Sequence, residues 1–157
     1  MIPITVIPES IDTSGALALV HAASDELQQR YGGEGDNKHL VVDELRPPRG
    51  LFLVARHDHD LVGGVGLRSI CEPGLHFAEV KRLWVRPDLR REGIGLALMN
   101  EIETHAKELG YVTLFLESGP AQPEALTLYQ SNGWTQIDKY PVGAFSHPQA
   151  RRFSKDL

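Results

Sequence analysis

The sequence predicts a mixed α/β (α+β type) layer fold, a central β-sheet of six to seven strands flanked by about four helices. Three observations carry that expectation. The chain has 157 residues, the size of one compact domain, so 1–157 is read as a single core. Its hydrophobic pattern changes period, alternating over short β-branched runs and recurring every three to four residues between them. The resulting order is strand, helix, helix, three strands, helix, strand, helix, strand, strand, which is not the regular alternation of a βαβ protein.

Ile4 to Ile7 is a β-branched run stopped by Pro8. Ser10, Asp12, Thr13 and Ser14 offer N-caps to a helix whose Leu17, Val20, Ala23 and Leu27 recur at helical spacing up to Arg30. A Gly-rich loop at 31 to 37 breaks it, and Asn37 caps a short second helix through Leu45, ended by Pro47, Pro48 and Gly50. LFLVAR from Leu51 and LVGGVGLRSI from Leu61 flank a polar HDHD segment and read as two antiparallel strands joined by a turn. CEPGLH is a further turn, and Phe77 to Val85 is a third strand of this meander, ended by Pro87. Ile94, Leu98, Ile102, Ala106 and Leu109 then form one apolar stripe, a helix of about four turns with Gly110 at C′. Tyr111 to Leu116 is the next strand, Pro123 opens a helix running to Asn132, and Gly133 closes it. Trp134 to Tyr140 and Arg151 to Lys155 are the last strands.

Composition narrows the function classes. Sixteen Lys and Arg against 21 Asp and Glu give a net charge of −5, without the basic face that nucleic acid or an anionic membrane requires, so a small-molecule partner is expected. With 41% hydrophobic and 24% charged residues the chain matches globular proteins rather than disordered ones. A single cysteine, Cys71, excludes an intramolecular disulfide and a multi-thiolate zinc site. The start carries no signal-peptide pattern and the longest apolar runs fall far short of a membrane span, so a cytoplasmic location is expected.

The densest chemistry lies in VRPDLRREGIGLALM, Val85 to Met99, where a strand ends, a turn carries arginines and two glycines, and a helix begins. Gly93 and Gly95 let the backbone bend and approach a ligand, the N–H groups of the first turn point at negative charge, and Arg90 and Arg91 add positive charge beside them. The plain alternative is a helix-capping turn with solvated arginines. The dinucleotide fingerprint fails at its third glycine, which is Leu98 here, and no Gly-Lys-Ser/Thr of a P-loop is present.

These residues resemble the GNAT superfamily of N-acetyltransferases: Arg90, Gly93 and Gly95 match its Q/R-x-x-G-x-G/A signature. ALTLYQSNGW, Ala125 to Trp134, resembles its A-x-x-L-Y-x-x-x-G-F segment, with Trp134 in place of Phe. The resemblance implies that the loop from Arg90 through Arg91, Gly93, Ile94 and Gly95 to Leu96 binds the pyrophosphate of acetyl-CoA. It further implies that Leu83, Trp84 and Val85 bond the pantetheine arm through their backbone, that an amine accepts the acetyl group in a ternary complex without a metal, and that a homodimer is possible. The rival function class is a noncatalytic acyl-CoA-binding or regulatory module of the same fold.

Acetyl transfer to an amine requires one group to take a proton from the nucleophile and one to return a proton to the departing sulfur. Glu79 stands 14 residues before Gly93, where many members of the family carry a glutamate base. Strand alternation puts Glu79, Lys81 and Leu83 on one face and Val80, Arg82 and Trp84 on the other, unless a bulge near Leu83 shifts the parity. The alternative role for Glu79 is a carboxylate paired with Lys81 or Arg82. By resemblance Tyr129 is the acid; by periodicity alone, Ala125, Leu128 and Tyr129 form a core stripe.

Weaker signals resolve to plain readings. His57 and His59, interleaved with Asp58 and Asp60, read as a solvated turn rather than a metal site, and Cys71 lacks a thiol-activating pattern. Arg46, Arg49, His76, Lys81 and Arg82 would bind an acidic acceptor group if they converge, and are otherwise surface charges. Tyr140, Phe145 and His147 are placed, by position only, at the wall of an acceptor pocket.

Overall fold

A computed structural model describes residues 2–32, 42–70, 74, 76–119, 122–141, 143–144, 146 and 148–157. Its strands are β1 (Thr5–Pro8), β2 (Leu51–His57), β3 (Asp60–Ile70), β4 (Phe77–Val85), β5 (Thr113–Ser118), β6 (Thr135–Ile137) and β7 (Arg151–Asp156). Three α-helices flank them: α1 (Ser14–Tyr31), α2 (Ile94–Glu108) and α3 (Pro123–Ser131). All seven strands form one sheet in the order β1-β2-β3-β4-β5-β7-β6. Every pairing is antiparallel except β4 with β5, where the chain crosses over through α2.

The local causes follow the sequence closely. Of the four N-cap candidates before α1, Thr13 does the capping, its hydroxyl accepting from the Ala16 N–H at 3.1 Å. Asp12 instead meets Arg46. Gly32, at φ 71°, ends α1 in a backbone conformation that disfavours residues with a Cβ. Gly110 (φ 95°) and Gly133 (φ 85°) stand just beyond α2 and α3 in the same left-handed range.

Two expectations need correction. The short second helix is not an α-helix where it is described: Val42–Leu45 is a single 3₁₀ turn, too brief to bury a stripe, and 37–41 lie outside the described residues. Among the described residues there are therefore three α-helices with short 3₁₀ turns, where about four helices were expected. The strand expected over Trp134 to Tyr140 is only Thr135–Ile137, because Trp134 is taken into the core beside Tyr129, with rings 6.1 Å apart. Cys71, Phe145 and His147 lie outside the described residues.

The sheet is covered on both faces. On one, α2 and α3 bury Val62, Val65, Leu67, Val80, Leu98, Ile102, Leu114, Leu116 and Phe153. On the other, α1 and the Val42–Leu45 turn cover Phe52 and Val54, and Ile70, Phe115 and Tyr140 form a smaller cluster. Each fully buried large apolar side chain contributes about 1.5–3 kcal/mol relative to exposure, so this double layer supplies the rigid frame for the site.

β4 and β5 pair only over Phe77–Glu79 and Thr113–Phe115. Past Glu79, β4 carries a bulge: between Lys81 and Trp84 it has one residue more than β3 has between Gly66 and Gly64, and Arg82 adopts φ 57°. A bulge bends its strand, and here β4 leaves β5. The parity shifts as well. Leu83 packs on the same core as Val80, and Trp84 turns to the α1 side, so Leu83 does not share the face of Glu79.

Candidate active site

The diverging strands leave a cleft of about 440 Å³. Its walls are Val80 to Trp84 of β4, Leu116 to Ser118 of β5, the last turns of α1, Gln122, and Tyr129 of α3. Because β4 is unpaired with β5 beyond Glu79, its backbone edge there is available to an extended ligand. Leu83, Trp84 and Tyr129 are thus brought together on one cleft, and Val85 is not among its lining residues.

At the end of β4 the turn Pro87–Leu89 leads into α2, with Gly93 as N-cap at φ 83°. The N–H groups of Ile94, Gly95 and Leu96 therefore have no intrahelical partner and stand at the positive end of the helix dipole. Arg90 is held in place: its Nε donates to the Val85 carbonyl at 2.9 Å, and an Nη lies 2.6 Å from the carboxylate of Glu26, itself a cleft residue. Arg91 is exposed, with φ 68°, and has no hydrogen-bond partner among the described residues. Gly93 needs its glycine for backbone conformation. Gly95 does not, since a Cβ there would meet Leu128 and Val85 at ordinary contact distances of 3.5 and 3.8 Å.

Tyr129 is buried against Phe153 and Trp134, with centroids 5.7 and 6.1 Å away. Its hydroxyl has no hydrogen-bond partner among the described residues, although the ring lines the cleft. Burial, with a smaller contribution from the charge of Glu124, raises its pKa above the ordinary phenol value, so the proton stays on the oxygen at neutral pH.

Glu79 is not a cleft-wall residue. It is 1% exposed and stands opposite Arg68 in the β3–β4 register. Arg68 Nη2 lies 2.8 Å from Glu79 Oε1 and its Nε donates to the same oxygen at 2.9 Å, while Tyr140 donates its O–H to Oε2 at 2.8 Å. The partner is therefore neither Lys81 nor Arg82. Of the roughly four lone-pair positions of a carboxylate, two on Oε1 and one on Oε2 are occupied, leaving acceptor capacity on Oε2. Burial, followed by the charges of Glu79 and Glu117, drives the Tyr140 pKa upward, so it too keeps its proton. Tyr140 is thus the partner of Glu79 and does not line the cleft.

The remaining candidates disperse. Arg46 pairs with Asp12 and Asp43, Arg49 bonds Ser69, and Arg82 bonds Ser24. Lys81 and Arg82 are buried beside the cleft rather than solvated. His57 bonds the Pro3 carbonyl at 2.7 Å, and no group of three metal-ligating side chains exists among the described residues. Sequence reasoning missed Arg68, Glu26, Gln122 and Ser118. Only Arg68 carried a signal, an arginine inside an apolar strand, which requires a buried counter-charge.

Comparison with known proteins accords with this geometry. Residues 18–134 match the model of the acetyltransferase (GNAT) family. An uncharacterised N-acetyltransferase of Schizosaccharomyces pombe is 36% identical over 135 residues, 85% of this chain and 82% of that one. An IAA acetyltransferase of Azospirillum brasilense is 32% identical over 142 residues, 90% of each chain. The PaiA N-acetyltransferase of Thermoplasma acidophilum, solved in complex with coenzyme A, shares the fold with a TM-score of 0.72 at 20% identity, covering 99% of this chain and 100% of that one. With a family match over most of its length and relatives above 30% identity across most of theirs, the chain belongs to the GNAT acetyltransferase family.

Proposed function

We infer that the chain is an acetyl-CoA-dependent N-acetyltransferase that passes the acetyl group directly to an amine. The observation that carries this reading is the cleft between β4 and β5, which has an anion-binding helix start beside it and an unpartnered protonated hydroxyl on its wall. The one sheet running from Thr5 to Asp156 supports treating the chain as a single domain. Among the described residues no helix is long and apolar enough to cross a membrane, and the single cysteine supports a reducing, cytoplasmic setting.

Acetyl-CoA, when bound, supplies an activated acetyl group as a thioester. The N–H groups of Ile94, Gly95 and Leu96, with Arg90 and Arg91, hold its pyrophosphate by dipole and charge. The free edge of β4 at Leu83, Trp84 and Val85 aligns the pantetheine arm and offers N–H groups to the carbonyl oxygen. Glu79, through the acceptor position left on Oε2, takes the proton that the amine must lose, directly or through water. Arg68 and Tyr140 fix that carboxylate in place. As the N–C bond forms and the C–S bond breaks, Tyr129 Oη returns a proton to sulfur. Tyr129 lines the cleft, while Glu79, which does not, lies on the other face of the sheet with Tyr140, so the proton is taken and returned from opposite sides of the sheet.

The test is release of the CoA thiol across a panel of primary amines. Turnover with at least one amine is expected. Tight acetyl-CoA binding with no turnover on any amine would instead support the noncatalytic module, against which the available Tyr129 hydroxyl argues.

A further inference from the structure

The cleft has two unlike sides. Towards α2 and α3 stand Val80, Leu83, Leu116 and Tyr129, which belong to the apolar core there. Charged side chains line the side towards α1. Lys81 alternates with Val80 along β4 and so shares the sheet face of Glu79, and Glu117 alternates with Leu116 along β5 and shares the face of Phe115. Arg82 would return to the apolar side in a regular strand. The bulge, with φ 57° at this residue, turns it to α1 instead, where its Nε donates to Ser24 Oγ at 3.1 Å. A left-handed backbone at an arginine is disfavoured, and residues held in such conformations concentrate at functional sites. Of the basic residues that the sequence offered for an acidic acceptor group, Lys81 and Arg82 are thus the two that meet, 6% and 7% exposed on the wall of one cleft.

This sidedness sorts the two substrates. Tyr129 returns its proton to sulfur from the α3 side, so the amine meets the thioester from the α1 side, the side of Glu79. There the acceptor finds two cations, Lys81 and Arg82, and one carboxylate of the cleft wall, Glu117, which accepts from Ser146 Oγ at 2.9 Å. An amine with no other charge would bring its ammonium up to both cations, and like charges placed together in a site shielded from water repel strongly. A zwitterion resolves the conflict. Its ammonium goes to the carboxylates and its own carboxylate to the cations, where the guanidinium fork matches two carboxylate oxygens. Lys81 follows Glu79 by two residues, roughly 7 Å along the strand, so both charged groups fall within the span of one small molecule.

We propose that the acceptor is an amino acid and that Lys81 and Arg82 select it by holding its carboxylate. The inference rests on the acetyl-transfer reading given above and names the class of amine which that reading leaves open.

The test measures thiol release at saturating acetyl-CoA for a panel of L-α-amino acids, each beside its carboxamide and its decarboxylated amine. The amine of a carboxamide is more easily deprotonated than that of the amino acid, so intrinsic reactivity alone favours the amide. At least one amino acid is expected to exceed both of its carboxylate-free counterparts in kcat/KM by about tenfold or more, the worth of a charge-assisted contact. Arg82→Met and Lys81→Met, which remove the charge and keep most of the side-chain length, lower that ratio. The wild-type ratio decides the matter even where a variant fails to fold. Carboxamides or amines that equal or exceed their amino acids throughout the panel overturn the proposal, and a peptide N-terminus as the natural acceptor would give that result. A preference for the amino acid that survives undiminished in both variants overturns the assignment to Lys81 and Arg82. A wild-type chain that binds CoA by calorimetry yet releases thiol with none of the three series overturns the transfer reading itself.

Discussion

Replacing Arg68 by Met removes the guanidinium that neutralises Glu79. In the wild type the two side chains are 7% and 1% exposed, with contacts of 2.8 and 2.9 Å from two nitrogens to a single carboxylate oxygen. After the substitution Glu79 retains only the Tyr140 hydroxyl, and Glu44, 3.4 Å from Arg68 in the wild type, loses a counter-charge as well. Leaving one member of a buried pair unpaired costs about 3–5 kcal/mol, a large part of the roughly 5–15 kcal/mol that holds a domain of this kind folded. At about 2–4 °C per kcal/mol for a chain of this length, Tm falls by about 6–20 °C. The double variant Arg68→Met with Glu79→Met leaves no buried charge orphaned, Glu44 being 40% exposed, and is expected to recover most of that loss. Urea unfolding followed by circular dichroism on the wild type, both single variants and the double gives the coupling energy directly. A loss below about 1 kcal/mol in the single variant, or additive losses in the double, would show that the pair does not carry the charge balance of this region.

Further expectations concern the proton chemistry and the loop. Glu79→Gln is expected to lower kcat/KM and move the pH profile; an unchanged profile removes its role as base. Tyr129→Phe should lower kcat by about 10²-fold or more if the hydroxyl returns the proton to sulfur, and a wild-type rate would end that assignment. Burial raises the pKa of both Tyr129 and Tyr140, so the folded chain keeps protons that the unfolded chain releases near pH 10. Their contribution is full below that pH and is lost as pH rises above it. Urea midpoints between pH 8 and 11 should fall, and fall less steeply in Tyr129→Phe; parallel curves would contradict the shift. Gly93→Ala forces a Cβ into φ 83° and is expected to cost about 1–2 kcal/mol while weakening CoA binding, whereas Gly95→Ala should cost little stability. Equal losses at the two glycines would refute the distinction.

Much of the frame was legible in the chain because it rests on local rules. The apolar stripe from Ile94 to Leu109, the prolines at 87 and 123 and the glycines at 110 and 133 each mark an element boundary by their own chemistry. The loop was legible for a similar reason, since glycine conformation and helix-terminal N–H groups are sequence-local, whereas Tyr129 was singled out only by the resemblance of ALTLYQSNGW to a family segment. Glu79 was legible as a position but not in its surroundings. Its partners lie 11 and 61 residues away, and only the β3–β4 register and the return of the chain at Tyr140 bring them together. The bulge at Arg82 was foreseen as an alternative and could not be chosen, because nothing in FAEVKRLWV marks which residue leaves the pleat.

The central claim, that the cleft between β4 and β5 is an acetyl-CoA site with its anion end at the start of α2, is tested most directly by calorimetric titration of CoA, alone and in the presence of ATP. One CoA per chain is predicted, weakened when Arg90 is replaced and little affected by ATP, since neither nucleotide fingerprint is present. No measurable binding of CoA, or its ready displacement by ATP, would contradict the account.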